Sequence, residues 1–312
     1  MRGGTSQTTA GGGYDNVMID NNEITRAYYG IYAYGASETY PITGLTIQNN
    51  YIHAEDDTDY LIYGMRLYRT RDVNVLNNVL SSYHYVSGSY TYDRMTYGIY
   101  SYYNYGTMIV DGNDFSNCQY AMYHYYNYSG EDQISNNYFH DLMIGGIRLY
   151  NSSTTNAPSN VHHNVIDGIH YNNATISTTD IYGIYVGSYC SRTTIEYNEI
   201  SNVIGHYTGT SDYPQIAYGI YSHYVTSTVT SQNNNLTINH NSIKDISSRG
   251  SDYTSTTYGY YFYENPTGIF IWGGTGHQVC HNTVSMTYPF VGGTTGAMSS
   301  CITFGAYYSG TY

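Results

Sequence analysis

Charged residues are scarce in this chain. They make up 11% of its 312 residues, where ordinary soluble domains have roughly 25%, and Lys244 is the only lysine. The formal net charge of −13 argues against nucleic acid and anionic membrane surfaces as partners. No apolar run is long enough for a membrane-spanning helix, and no apolar signal-peptide region follows Met1. We therefore expect neither a nucleic-acid-binding protein nor a helical membrane protein.

Cysteine and metal-binding motifs are equally sparse. The four cysteines, Cys118, Cys190, Cys280 and Cys301, form no CxxC pair, so neither a zinc site nor a redox motif is indicated. Cys280 and Cys301 could pair across one coil of the fold, and buried free thiols are an equal alternative. No EF-hand, HExxH or P-loop pattern occurs, and we expect no cofactor and no metal.

A six-residue signature recurs from one end of the chain to the other. In each copy an apolar residue stands three positions before an asparagine and another stands two positions after it, as in Ile19–Ile24. The steps between copies range from 24 residues (Asn113 to Asn137) to 43 residues (Asn198 to Asn241). Irregular steps around a constant signature indicate one structural repeat per copy, with loops of variable length. The asparagines are Asn22, Asn50, Asn78, Asn113, Asn137, Asn164, Asn198, Asn241 and Asn282.

The pattern inside each copy predicts strands. Apolar and polar residues alternate before the asparagine, as at Leu45 and Ile47, which is the two-residue period of a strand with one buried face. The apolar columns are mostly β-branched, which favours strand over helix. Stacked copies would form an all-β parallel solenoid of about nine rungs, spaced about 4.8 Å apart.

The asparagine column has a physical reason in such a stack. An amide at an inward-facing bend must satisfy its donors and its acceptor without water. The same amide one rung above and below can do this, so we expect an internal asparagine ladder that also fixes the register. Asparagine further tolerates the left-handed backbone that a sharp bend requires.

The combination of this signature with a following Tyr-Gly-Ile-Tyr resembles the right-handed parallel β-helix repeats of the pectate-lyase-like superfamily. The resemblance covers about residues 15–305 and implies a right-handed parallel β-helix. That superfamily includes polysaccharide lyases, glycosidases, phage tailspikes, adhesins and surface proteins. The resemblance therefore does not name an activity.

A second type of strand is expected to carry columns of tyrosines, of which the chain has 45. Its reference residue is the glycine of Tyr-Gly-Ile-Tyr, placed at Gly259 in the eighth copy. Strand alternation puts the residues two and four positions later on the outer face, where they should form external tyrosine ladders. Arg66 and Arg148 fill two places where guanidinium planes can stack between rings. The ladder tyrosines are Tyr32, Tyr100, Tyr123, Tyr185, Tyr221 and Tyr261 in one column and Tyr34, Tyr68, Tyr102, Tyr125, Tyr150 and Tyr263 in the other. Plain strand stabilisation, lateral adhesion, stacking on sugar rings and radical chemistry all remain open as their role.

The ends of the solenoid point to the function that the sequence favours. We interpret residues 1–13 as a Gly/Thr-rich arm and residues 14–312 as one solenoid domain. Neither end offers a capping helix, so either the chain is a fragment or each subunit caps the next. We expect a structural subunit of an extracellular or cell-surface filament, a head-to-tail homopolymer with glycans or other fibres as further partners. The expected assembly edges are Val17, Ile19, Ile24, Val279, Val284, Ile302 and Phe304.

A carbohydrate-active or carbohydrate-binding β-helix protein is the alternative. A lyase of this fold would need an acidic calcium cluster and a basic residue, and a glycosidase would need converging carboxylates. The candidates are Glu55, Asp56, Asp57 and Asp59, with Asp93 and Arg94 about one rung away. Because these residues lie in loops of unknown direction, a solvated loop is the simpler interpretation, and no catalytic residue is assigned.

Overall fold

The computed structural model describes residues 14–56, 59–87, 90–93, 95–128, 131–151, 158–171, 180–205, 215–223, 233–248, 265–286 and 299–305. For residues 84–87, 90–93 and 171 the description covers the backbone only. The described chain contains strands and no helix. The pairings between rungs are all parallel, and the predicted parallel β-solenoid is confirmed.

Each rung passes through three sheets in turn, and the sheets are named here by that order. Sheet I precedes the ladder asparagine and consists of β1 (Met18–Asp20), β4 (Ile42–Gln48), the second half of β6 (Tyr63–Leu76), β11 (Met108–Asp111), β14 (Asp132–Ser135), β17 (Ser159–His162), β20 (Thr194–Glu196), β23 (Thr237–Asn239) and β26 (Gln278–Cys280). Its inner column runs unbroken from Ile19 to Val279, with each residue the direct partner of its equivalent in the next rung.

Sheet II follows the asparagine. It consists of β2 (Glu23–Ile24), β5 (Tyr51–His53), β7 (Val79–Ser81), β12 (Asp114–Ser116), β15 (Tyr138–Leu142), β18 (Val165–Tyr171), β21 (Glu199–Gly205), β24 (Ser242–Ser247) and β27 (Thr283–Ser285). Its inner column includes Phe115 and Phe139, whose rings stack 4.9 Å apart inside the solenoid.

Sheet III holds the tyrosine-bearing strands. It consists of β3 (Tyr29–Tyr34), the first half of β6, β10 (Met95–Asn104), β13 (Cys118–Asn127), β16 (Gly145–Tyr150), β19 (Ile181–Val186), β22 (Ala217–Ser222), β25 (Thr267–Trp272) and β28 (Ser300–Gly305). An antiparallel hairpin, β8 (His84–Ser87) with β9 (Tyr90–Asp93), separates β7 from β10.

The expected position of the eighth strand of sheet III is wrong. The sequence predicts that the strand containing Gly259, Tyr261 and Tyr263 pairs with β22. In the structure β25 pairs with β22 instead, and Ile269 lies opposite Ile220. An inward tyrosine at position 260 would bury a hydroxyl that needs a partner, whereas Ile269 buries only hydrocarbon. Tyr261 and Tyr263 lie outside the described residues.

The asparagine ladder lies at the bend between sheets I and II. In each interior rung the Nδ2 group donates to the Oδ1 atom of the next asparagine, for example from Asn113 to Asn137 over 3.0 Å. The backbone N–H of Asn113 donates to the same Oδ1 atom over 2.9 Å. The second Nδ2 proton of Asn137 reaches the carbonyl of Val110 one rung back, over 2.9 Å. The amides of the seven interior rungs, from Asn50 to Asn241, are at most 2% exposed.

The left-handed residue of the bend is the one before the ladder asparagine. Its φ lies between 52° and 68° in every rung, from Asn21 through Gly112 to His281. The ladder asparagine itself keeps an ordinary backbone, which corrects the expectation that it adopts this conformation. Asn, His and Gly fill most of these places, and they are among the residues that tolerate a positive φ best.

The four cysteines are free thiols, two buried (Cys118 and Cys190) and two exposed (Cys280 and Cys301). Burial raises the pKa of Cys190 to about 12, so that thiol stays protonated and unreactive at neutral pH. The pairing of Cys280 with Cys301, considered from the sequence, does not occur.

Within the part of the chain that is described, no helix long and apolar enough to cross a bilayer is found.

The ladder predicts that removing one interior side-chain amide strongly lowers the free energy of unfolding. In Asn137→Leu the two donors of Asn113 and the carbonyl of Val110 lose their partner. Each unsatisfied buried group costs roughly 1–3 kcal/mol, and we expect urea denaturation to show a loss of at least about 3 kcal/mol. Asn22→Leu at the exposed first rung is the control and should cost much less. Equal stability of the two variants would contradict the account of the ladder.

Candidate functional site

The outer side of sheet III carries aligned aromatic columns in its first five rungs. We call this surface the tyrosine face. The column four residues after the reference glycine contains five stacked rings, whose centroids lie 4.5–5.5 Å apart and whose planes differ by 3–13°. Its members are Tyr34, Tyr68, Tyr102, Tyr125 and Tyr150. Because the rings stack on one another along the solenoid axis, the surface presents mainly ring edges and hydroxyl groups.

A second column lies one residue before the glycine. Tyr29, Tyr63, Tyr97 and Tyr120 stack with centroids 5.1–5.4 Å apart. Further stacks lie beyond the strand bend, between Tyr103 and Tyr126 at 5.1 Å and between Tyr105 and Tyr128 at 5.5 Å. The sequence prediction did not include these rings as ladders. The repeated Tyr-Tyr-Asn-Tyr of residues 102–105 and 125–128 is the signal that could have shown the stacks at the bend.

Arginines interrupt the column two residues after the glycine. The guanidinium carbon of Arg148 lies 4.8 Å from the ring centre of Tyr123 and 4.7 Å from that of Tyr185. Arg66 lies between the rings of Tyr32 and Tyr100, at 5.6 and 6.0 Å. Cation–π contacts of this kind stabilise a guanidinium group that is partly removed from water.

Arg66 also has a direct polar contact. Its Nη1 donates a 2.8 Å hydrogen bond to the hydroxyl of Tyr29. A third arginine of the face, Arg69, is on the same strand as Arg66. It lies over the ring of Tyr68 at 5.0 Å and donates to the carbonyl of Ala36.

No carboxylate among the described residues pairs with these arginines. The only arginine–carboxylate bridge found there joins Arg26 to Asp59, away from the tyrosine face. Burial alone would lower the pKa of Arg148, but the phenol oxygens around it, Tyr182 foremost, raise it overall. The chain as a whole carries a formal charge of −13. The protein is thus acidic overall, but its tyrosine face carries arginines whose positive charge is not neutralised by any described carboxylate.

Three phenols of the face, those of Tyr97, Tyr100 and Tyr123, stay protonated at neutral pH. Burial, and next the neighbouring phenols of Tyr123 and Tyr63, raise the pKa of Tyr100 to about 12. Burial is also the main cause of the raised pKa of Tyr97 and of Tyr123. These hydroxyl groups are therefore hydrogen-bond donors as well as acceptors over the physiological range.

The tyrosine columns become buried in the later rungs. Tyr185 and Tyr221, expected in an external ladder, are only 7% and 8% exposed. With Tyr182, Tyr218 and Phe270 they form a separate aromatic cluster on the outside of sheet III. Gly145 leaves room for one member of this cluster, since a Cβ atom at residue 145 would lie 2.5 Å from the ring of Tyr182. The external ladder prediction is therefore wrong for these two tyrosines.

The acidic loop does not gather into a catalytic cluster within the described residues. Asp59 is 2% exposed, accepts the N–H of Glu55 over 3.1 Å and lies 3.4 Å from Arg26, which makes it a structural residue of the turn. Asp57 and the side chains of residues 93 and 94 lie outside the described part. No group of three metal-ligating side chains is found among the described residues.

The expected assembly edges lie at the two ends of the described solenoid. Ile302 and Phe304 are 43% and 60% exposed on β28. Val17, Ile19 and Ile24 at the first rung, and Val279 and Val284 at the last, are partly buried against the core.

Comparison with known proteins addresses the fold. A family model described as "right handed beta helix region" matches residues 8–178, which is more than half of the chain. A search of curated proteins finds no significant match. Among solved structures, a DFA-IIIase from Arthrobacter chlorophenolicus A6 in complex with GF2 is similar over 85% of this chain and 77% of its own, with 11% sequence identity and a TM-score of 0.38.

His223 follows Gly187 in the column four residues after the reference glycine of sheet III. Its pKa predicts that the free energy of unfolding decreases as the pH is lowered. Burial, and then the charge of Arg148, lower that pKa from 6.5 to about 4. Between these values the unfolded chain binds more protons at His223 than the folded protein, so stability is full above pH 6.5 and is lost as the pH falls towards 4. His223→Gln should remove a dependence on the order of 3 kcal/mol, measured by urea denaturation across this range. The control is His240→Gln at an exposed bend, and identical pH profiles for both variants would contradict the prediction.

Proposed function

The chain belongs to the right-handed β-helix family, and on that premise we propose that it is a carbohydrate-binding protein that holds an acidic glycan on its tyrosine face. The fold supplies straight columns of side chains, which suit a linear polymer better than a small compact ligand. An extracellular or cell-surface location fits this function. A composition poor in lysine and rich in Tyr, Thr, Asn and Gly favours that location.

The arginines of the face have no carboxylate partner among the described residues, and this observation supports an acidic ligand. Arg66 and Arg148 lie in one column, three rungs apart, which corresponds to about 14 Å along the axis. A guanidinium group binds carboxylate, sulfate or phosphate through two parallel hydrogen bonds. Because Nη1 of Arg66 is engaged by Tyr29, its remaining donors are the ones a ligand would use. A linear glycan with repeated negative groups can reach both positions.

The tyrosines provide the rest of the binding surface. Their rings hold the arginines in place through the cation–π contacts, and their hydroxyl groups can donate to sugar oxygens. Stacking between neighbouring rings fixes these hydroxyl groups before a ligand arrives, which reduces the entropy lost on binding. The ring edges form ridges about one rung apart, so successive sugar residues would meet repeated polar contacts along the axis.

Replacing Arg66 with glutamine tests this function. We expect the wild-type protein to bind polygalacturonate and Arg66→Gln to bind it roughly 10- to 100-fold more weakly, since a hydrogen bond to a charged group contributes about 1.5–3 kcal/mol. Lys244→Gln is the matched control, because it removes the same charge from an exposed position on sheet II. Isothermal titration calorimetry at low salt provides the affinities.

The ligand has a matched control as well. Fully methyl-esterified polygalacturonate keeps the same sugar backbone without its charge, and it should bind weakly to all three proteins. Equal binding of the acid and the ester, or equal affinities for Arg66→Gln and Lys244→Gln, would overturn the role of the arginine. Failure of the wild type to bind any acidic glycan of a panel of uronates and sulfated galactans would overturn the proposed function.

End-to-end assembly into a filament is a second candidate, and the polarity of the asparagine ladder favours it. Among the described residues nothing donates to Oδ1 of Asn22, and nothing accepts from the backbone N–H of Asn282. In each pair of adjacent rungs, the backbone N–H of one ladder asparagine donates to Oδ1 of the next, as from Asn241 to Asn282 over 2.9 Å. Within the described chain, the first rung therefore has an unused acceptor of this bond and the last rung an unused donor. A second copy stacked on β26, β27 and β28 would supply the missing partners and cover Ile302 and Phe304.

Charge placed on both edges tests this assembly. Ile302→Asp together with Ile19→Lys would bury unpaired charge at a stacked joint unless the two align, and we expect it to abolish polymerisation. Val79→Asp, at a 39% exposed position in the middle of sheet II, is the control and should leave assembly unchanged. Sedimentation velocity and electron microscopy measure the outcome. A wild-type protein that stays monomeric at high concentration would contradict the filament.

A further inference from the structure

A polar groove on the outside of sheet I is built from two parallel columns. Gln133, Asn160 and Thr194 are direct partners on β14, β17 and β20. Two positions earlier in each rung stand Glu131, Pro158 and Arg192. The two columns and Ser159 line an open groove with a volume of about 330 Å³. This volume is within the range of small-ligand sites, roughly 300–1,000 Å³. The groove crosses three rungs and therefore extends about 10 Å along the axis.

The groove contains hydrogen-bonding groups that the described protein does not use. The Oδ1 atom of Asn160 is buried and has no hydrogen-bond partner there. The side chains of Glu131 and Gln133 likewise make no hydrogen bond or ion pair with described residues. This contrasts with the interior ladder asparagines, whose amides donate and accept in both directions along the stack. A buried acceptor without a donor is costly, and a half-turn of the Asn160 amide would bring Oδ1 to the surface of the groove, where a ligand hydroxyl or amide can satisfy it.

The lining identifies the chemical class of the ligand. Six of the seven lining residues carry amide, hydroxyl, carboxylate or guanidinium groups, and only Pro158 is apolar. Planar amides and carboxylates bind adjacent hydroxyl groups in pairs, which is the pattern that a sugar ring presents. Glu131 and Arg192 carry opposite formal charges, so the lining is neutral overall and does not select an anion. The tyrosine face differs, because there the cations have no described carboxylate partner.

We propose that this groove is a second carbohydrate site, which binds a neutral unit of disaccharide length. It involves none of the residues of the tyrosine face and is independent of that face binding a glycan. After a half-turn of its amide, Asn160 accepts a hydrogen bond at Oδ1 from a sugar hydroxyl at the centre of the groove. Gln133 and Thr194 bind the hydroxyl groups on either side, one rung away in each direction. Glu131 and Arg192 contact the two ends of the ligand.

Side-chain amide signals give a direct test. The probes are cellobiose, maltose, lactose and N,N′-diacetylchitobiose, each titrated into the full chain labelled with nitrogen-15. We expect at least one of them to shift the side-chain amide signals of Gln133 and Asn160, which the variants Gln133→Ala and Asn160→Ala identify. The double variant should bind that sugar roughly tenfold more weakly or worse, since it lacks two direct hydrogen bonds.

Three further variants keep the proposal falsifiable. Thr194→Arg fills the groove without removing either amide and should block binding with both amide signals present. Thr237→Ala lies in the same column one rung beyond the groove and should bind as the wild type does. Arg66→Gln should also bind normally. The proposal is overturned if no probe shifts the two amides, if the double variant or Thr194→Arg binds like the wild type, or if Arg66→Gln abolishes binding.

Discussion

A buried side-chain amide that can be satisfied only by its equivalent one rung away is the constraint on which this structure depends. In the interior rungs each ladder Oδ1 accepts two hydrogen bonds from the preceding asparagine, and each Nδ2 group donates to both neighbouring rungs. A slip of one residue would leave these groups unpaired and would turn the inner columns towards solvent. The register is therefore fixed by polar chemistry at one corner, and the apolar columns of the three sheets supply most of the buried area.

That fixed register creates the outer surface. Once the inner columns coincide, the outward residues must coincide too, and tyrosines separated by 23 to 34 residues in sequence become stacked neighbours. The same alignment places Arg66 and Arg148 between aromatic rings and places Gln133, Asn160 and Thr194 along one line. Because loops leave the solenoid between strands, their length varies without disturbing the columns. Both candidate ligand surfaces thus follow from alignment rather than from folding of loops.

The sequence predicts the repetitive part of the structure well because period and polarity determine it locally. The inner columns of sheets I and II and the ladder are visible as fixed spacings around each asparagine. The eighth strand of sheet III was missed because Gly259 and Gly268 both fit the short motif, and the difference is whether residue 260 or Ile269 is buried. The burial of Tyr185 and Tyr221 depends on lateral packing within their aromatic cluster, which no single repeat records. The groove at Asn160 was not foreseen, since its members are ordinary outward polar residues until three rungs are aligned.

The direction of the ladder hydrogen bonds gives the solenoid a mechanical anisotropy. The bonds between rungs run along the axis, so tension applied to the two ends of the chain loads them one rung at a time, beginning at an outermost rung. Each rung that detaches would release between 24 and 43 residues, or roughly 80 to 150 Å of extended chain. A force across the axis would instead load many parallel bonds together. Pulling on the two ends therefore unravels the solenoid in steps of one rung.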